Sequence, residues 1–141
     1  MSLSSIGVRT SDVTISQASV QWRNGSTGRI RTMEVELIIG AGTTQSVGFG
    51  VPAALAITPA DVTFPRDDPA DPTSLVISSI SYATSPTAPT VYKRRTNTNN
   101  VVGVGIIWTF PRGQVMAISS AAVLFNITAA SIADVNIVVD E

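Results

Sequence analysis

The sequence contains no cysteine and no histidine. Disulfides, thiolate zinc sites, cysteine nucleophiles and imidazole bases are thereby excluded. An ordinary Ser-His-Asp relay cannot be built, and only Lys93, the single lysine, could replace the imidazole as a base for serine. Charge is scarce as well. Asp, Glu, Lys and Arg make up 13% of the chain, about half the usual share. The net charge is −1, so no overall field draws nucleic acid or an acidic membrane. No apolar run approaches the ~20 residues of a spanning helix. The opening MSLSSIGVRT lacks the basic segment and apolar core of a signal peptide. No cofactor, nucleic acid or membrane is expected as a partner.

What fills the space left by charge is apolar residues, at 44%. A chain of 141 residues suits one domain able to hold its own core. A surface so poor in charge is either weakly solvated or covered by other chains, and the second reading fits a subunit of an assembly. Eight of the nine cations are arginines, whose planar, weakly hydrated heads suit interfaces better than ammonium groups do.

Residues 1–10 read as an irregular N-terminal arm, and 11–141 as a single domain. Beyond the arm the apolar pattern has period two, as in half-buried strands. Val13 and Ile15 alternate with Thr14 and Ser16, and Val20 and Trp22 with Gln21 and Arg23. Asn24-Gly25 marks a tight turn, because both residues tolerate positive φ. Met33, Val35, Leu37 and Ile39 alternate next, closed by Gly40-Ala41-Gly42; then Val47, Phe49 and Val51. Residues 52–73 hold five prolines, which no helix survives. They read as a long surface loop with a short extended piece at Val62 to Phe64. Leu75 to Tyr82 returns to strand, with Val76, Ile80 and Tyr82 on one face. After the second proline loop at 85–89, Val91 to Thr96 reads as strand.

The run VVGVGIIWTF, 101–110, has Val102, Val104, Ile106, Trp108 and Phe110 on every second position. It reads as a central strand whose even positions, Val102 to Phe110, supply core. Pro111 should end it and Gly113 turn the chain. Val115 to Ile118, Ala122 to Ile127 and Val135 to Val139 complete the count. In the alanine-rich 121–133, Val123, Phe125 and Ile127 alternate, favouring strand over helix. Eight or nine short strands and no long helix give an all-β class. A jelly-roll-like β-sandwich of about eight strands fits the long proline-rich crossover better than the alternative, an immunoglobulin-like sandwich.

The acidic loop FPRDDPADP, 64–72, could offer oxygens to a hard cation, but its spacing matches no known calcium loop. A glycosidase using Asp67 and Asp68 is the enzymatic alternative. Lys93-Arg94-Arg95 ends a strand, where alternation leaves at most two of them on one face. These three and Arg112 are the interface candidates. Asn24-Gly25-Ser26 and Asn126-Ile127-Thr128 match the glycosylation triplet, but the second lies in a strand and no export signal accompanies them. Trp22 and Trp108 read as core.

The ordering V-Y-K-R-R (91–95), G-x-G-I-I-W-T-F-P-R-G (103–113), a short hydrophobic strand, L-F-N-I (124–127), an alanine-rich bend and D-V-N-I-V-V-D-E (134–141) resembles small virion proteins of tailed bacteriophages. The resemblance covers the C-terminal third and weakly the proline-rich middle. It implies a non-enzymatic β-sandwich subunit that decorates or cements a capsid, or sits on the tail. Such subunits are commonly homotrimers bound to the major capsid protein or other virion proteins. The implied location is the virion, assembled in the bacterial host cytoplasm. The resemblance carries over no site residue. A tail-associated receptor- or carbohydrate-binding module remains the alternative, with Trp22, Tyr82 or Tyr92 exposed in a groove.

Overall fold

The structure, a computed structural model, describes residues 2–10, 17–40, 46–128 and 132–141. The described residues form ten strands: β1 (Leu3–Arg9), β2 (Ala18–Asn24), β3 (Ile30–Ile39), β4 (Ser46–Gly50), β5 (Ile57–Thr63), β6 (Val76–Thr84), β7 (Tyr92–Asn97), β8 (Gly105–Met116), β9 (Ala121–Thr128) and β10 (Ala133–Asp140). They make two antiparallel sheets, ordered β1-β10-β3-β8 and β5-β6-β2-β9-β4-β7. The pairings β1·β10, β2·β9, β3·β8 and β4·β7 are nested, first with last and inward. A long hairpin rolled up in this way is a jelly roll. The hairpin β5–β6, inserted between β4 and β7, widens one sheet to six strands.

The two inner faces share one core, to which Val20, Trp22, Val35, Leu37, Phe49 and Ile137 contribute. Trp22 has no exposed surface. Its ring stacks on Phe49 at 5.7 Å, and Phe49 meets Phe110 of the facing sheet at 5.1 Å. The indole Nε1 donates to Thr32 Oγ1 at 2.9 Å, joining β2 to β3 across the sandwich. Burying that donor without a partner would cost roughly 1–3 kcal/mol, so Thr32 is as much part of the Trp22 site as the rings are. The expectation that Trp22 and Trp108 are core holds; Trp108 is 9% exposed.

Four local expectations are corrected. The segment 1–10 is not an irregular arm: Leu3–Arg9 is β1, paired residue for residue with β10. Residues 57–63, inside the expected loop, form the edge strand β5. β8 is an edge strand, not a central one. Val102 and Val104 precede it and are exposed, while Trp108 and Phe110 do face the core. Pro111 does not end β8 either. The register passes from Glu34↔Thr109 to Thr32↔Gln114, so residues 110–113 bulge opposite Met33 and pairing resumes to Met116. An edge strand tolerates this, because the missing proline N–H faces no partner strand. Val115 therefore belongs to the same strand as Trp108. The expected alternation of Val13 and Ile15, and the turn at Ala41-Gly42, lie outside the described residues.

Asn24 explains the corner after β2. Its Nδ2 donates to the carbonyls of Gly28 (2.9 Å), Ala117 (3.1 Å) and Met116 (3.2 Å), and its Oδ1 accepts from Ser26 N–H at 2.8 Å. One side chain thus fixes both the β2–β3 and the β8–β9 connections. The chain does not make a hairpin here; it crosses from one sheet to the other.

Candidate functional site

The four candidate cations lie on one side of the sandwich. β7 ends the six-stranded sheet and β8 ends the four-stranded sheet. Phe49↔Arg94 pairing turns Arg94 toward the core, and its guanidinium lies over the Phe110 ring, 5.3 Å from the centroid. A cation–π contact at an exposed site is worth ~0.5–1 kcal/mol. Arg94 therefore closes the gap between the two edges. Lys93 and Arg95 are exposed, and Arg112 is exposed in the bulge of β8. None of the four is ion-paired with a described carboxylate.

The acidic loop lies on the opposite side. Ser5 N–H donates to Pro65 O and Asp67 N–H to Leu3 O, which lays residues 65–67 along β1. Asp67 accepts from Ser5 Oγ at 2.5 Å, and Asp68 Oδ1 caps its own turn through Ala70 N–H at 2.9 Å. Asp61 pairs with Arg23 at 2.5 Å. These carboxylates are spread along an edge and do not converge. Among the described residues no group of three or more acidic side chains could hold a metal ion.

A groove of about 570 Å³ opens on the outer face of the six-stranded sheet, lined by Gln17, residues 83–88, Tyr92, Phe125 and Ile127. Val123 and Phe125 project outward here and pack with Ala18 beneath Tyr82, Ala88 and Tyr92. The Tyr92 ring lies on the backbone of Gly48, where any Cβ would collide with it. Burial raises the Tyr92 phenol above its ordinary pKa, and nearby Arg95 works the other way. Burial raises Tyr82 further, against a backbone hydrogen bond from Gln21. The Tyr82 hydroxyl donates to Ser79 O at 2.7 Å. Of the three aromatics expected in a groove, only Tyr92 lines this one; Trp22 is fully buried.

The second proline loop, 85–89, reads in sequence only as a connection, yet its residues 85–88 line this groove. The signal was present in AAVLFN, 121–126, which is apolar at successive positions rather than alternating. Such a run belongs to a strand covered on both faces. Within the second glycosylation triplet, Asn126 has no exposed surface. No family model matches the chain, and no curated protein or solved structure is significantly similar to it.

Proposed function

We propose that this protein is a non-enzymatic structural subunit of a larger particle, binding through its sheet edges. What supports a virion as that particle, and capsid decoration or cementing as the role, is the resemblance of the C-terminal third to small tailed-phage virion proteins. One observation carries the reading. Large apolar side chains left exposed among the described residues sit on edge strands and connections, and none on β2, β3, β4, β6, β9 or β10. Ile57 and Val62 lie on β5, Val101 and Val102 before β8, and Ile107 within it. Apolar side chains exposed along edges and connections, with none among the described residues of the inner strands, leave area for other chains to cover. The accessible surface of 6879 Å² agrees with the ~6,900 Å² of a compact monomer of this mass. Association would therefore dock finished subunits instead of exchanging arms.

The test is the mass of the purified protein in solution, together with co-sedimentation on tailed-phage heads. Oligomers, a homotrimer among them, and retention on heads are expected. A strictly monomeric species with no affinity for heads would count against the proposal.

The groove at Tyr92 favours a second reading, a receptor- or carbohydrate-binding module on the tail. An aromatic face beside hydroxyl-bearing Thr84, Ser85 and Thr87 is suited to stacking on and hydrogen-bonding a sugar. Glycan-array binding abolished by Tyr92→Ala would support it, and a blank array would remove it.

A further inference from the structure

Between Asp71 and Asp134 the sequence has no acidic residue, and it places Lys93, Arg94, Arg95 and Arg112 there. The fold turns this gap in the sequence into a polarity in space. β7 and β8, which carry all four cations, form one edge of the sandwich, joined by the Arg94–Phe110 contact. β5 and β1 form the opposite edge, joined by the loop that carries Asp67, Asp68 and Asp71. Neither set is neutralised at home. The ion pairs among described residues are Arg9–Asp134, Arg23–Asp61 and Arg66–Glu141, and none uses these seven side chains. Each edge also bears exposed apolar residues: Val101, Val102 and Ile107 on the basic side, Leu3, Ile57 and Val62 on the acidic side.

We infer that the basic β7/β8 edge of one copy docks on the acidic β1/β5 edge of a second copy. Complementary charge selects this partner and register, and the edge apolar residues supply the area. β8 runs alongside Ile30 to Ile38 of β3, its bulge adding no length, so at ~3.3 Å per position its edge runs about 30 Å. Two packed sheets with their side chains are about 20 Å thick. The product, ~600 Å² per partner or ~1,200 Å² in total, lies at the lower bound for a specific interface. The contact is made by side chains and not by adding strand to strand. Three successive cations guard β7, residues 110–113 bulge from β8, and β5 carries Pro59 beside Thr58 in a left-handed conformation (φ 49°). Because unlike edges meet, the contact is heterologous, and repetition closes a ring or extends a filament.

This inference rests on the assembly reading, and its test separates the two. Two variants are made: Lys93→Glu/Arg95→Glu/Arg112→Glu, with both edges acidic, and Asp67→Lys/Asp68→Lys/Asp71→Lys, with both edges basic. Arg94 is spared because it packs on Phe110. Circular dichroism and thermal melting confirm that each is folded, and sedimentation velocity reads association. Wild type should associate at ~0.1 M salt and dissociate at ~1 M, as the Debye length shrinks from about 10 Å to about 3 Å. Each variant alone should associate at least ~100-fold more weakly, and an equimolar mixture of the two should associate again. Folded variants that each associate as wild type does would overturn the inference while leaving the assembly reading standing. A wild type monomeric at both salt concentrations would overturn it too; the assembly reading fails only if affinity for phage heads is also missing.

Discussion

Arg66 and Glu141 form an ion pair in which each side chain is only 10% exposed. Arg66 Nε also donates to Pro72 O at 2.5 Å and Nη1 to Ser4 Oγ at 3.1 Å. Glu141 Oε1 accepts from Ser74 Oγ at 2.7 Å and from Val76 N–H at 3.1 Å. One pair therefore ties β1, the acidic loop, the start of β6 and the C-terminal residue together. The loop 64–75 is long and proline-rich, yet this clasp gives it a single course along the β1 edge.

Removing one partner of such a pair leaves the other charge covered and unmatched. Arg66→Ala should cost about 3–5 kcal/mol, lowering the thermal midpoint by roughly 10 °C or more. Arg66→Ala combined with Glu141→Ala should cost less than the sum of the two singles. Chemical denaturation of the three variants measures this. A loss below ~1 kcal/mol for Arg66→Ala would show that the clasp is ornamental.

The bulge in β8 rests on Gly113, which adopts φ +66°. A Cβ there would stand 2.5 Å from Arg31 Cβ and 2.9 Å from Met33 Sδ. Gly113→Ala should thus cost about 2 kcal/mol or more, adding collision to left-handed strain. Gly103 supplies the control. It too is left-handed, at φ +86°, but a Cβ would meet nothing within 4 Å, so Gly103→Ala should cost only ~1 kcal/mol. Equal losses for the two would mean that the bulge does not press on β3.

Period-two alternation was legible in the sequence, and with it the all-β class and the buried tryptophans. The face each strand presents was less legible. The alternation of Val123 and Phe125 marks a strand but not its faces: Ala122 and Leu124 face the main core, and Val123 and Phe125 the outer cluster. A strand covered on both sides has no polar face to betray its orientation. Tyr82 likewise leaves the face of Val76 and Ile80, because the β5–β6 register shifts between Pro59 and Asp61. β1 was missed because Ser4, fully buried, occupies an inward position that sequence assigns to an apolar residue; Arg66 Nη1 satisfies it. The KRR run was plain to read. That Arg94 turns inward while Asp67 and Asp68 lie on the far edge follows from pairings remote in sequence, which local patterns do not encode.

Arg112 lies exposed at the bulge, with no described carboxylate in ion-pair range. As an interface candidate with no partner in its own chain's described carboxylates, Arg112 should act on assembly and not on folding, and Arg112→Ala tests this. The substitution should leave stability within ~0.5 kcal/mol of wild type. Its effect should appear as weaker self-association, read by sedimentation at low salt. A folding defect above that threshold would mean that Arg112 holds the bulge in place.

Arg9 and Asp134 join β1 to β10 on the outer face, with Nε–Oδ1 at 2.7 Å and Nη2–Oδ2 at 2.8 Å. The hydrogen bonds from Arg9 hold the Asp134 carboxyl below the ordinary aspartate value of 3.8. The same bonds, seen from the other side, raise the Arg9 guanidinium. A folded-state carboxyl pKa below the unfolded one stabilises the protein above the unfolded value, and that stabilisation fades as pH falls through the folded value. The raised Arg9 works in the opposite sense but only in strong alkali, beyond the ordinary guanidinium range, so the acid limb alone is observable. Both groups are solvent-exposed and screened, so the effect on stability is small. The sharper readout is the Asp134 carboxyl carbon shift in an NMR titration. Its midpoint should lie below 3.8 in wild type and rise toward that value in Arg9→Gln, while the stability difference between the two proteins shrinks as pH drops below it. An Asp134 midpoint indifferent to Arg9→Gln would dissolve the pair as a contributor to the β1–β10 seam.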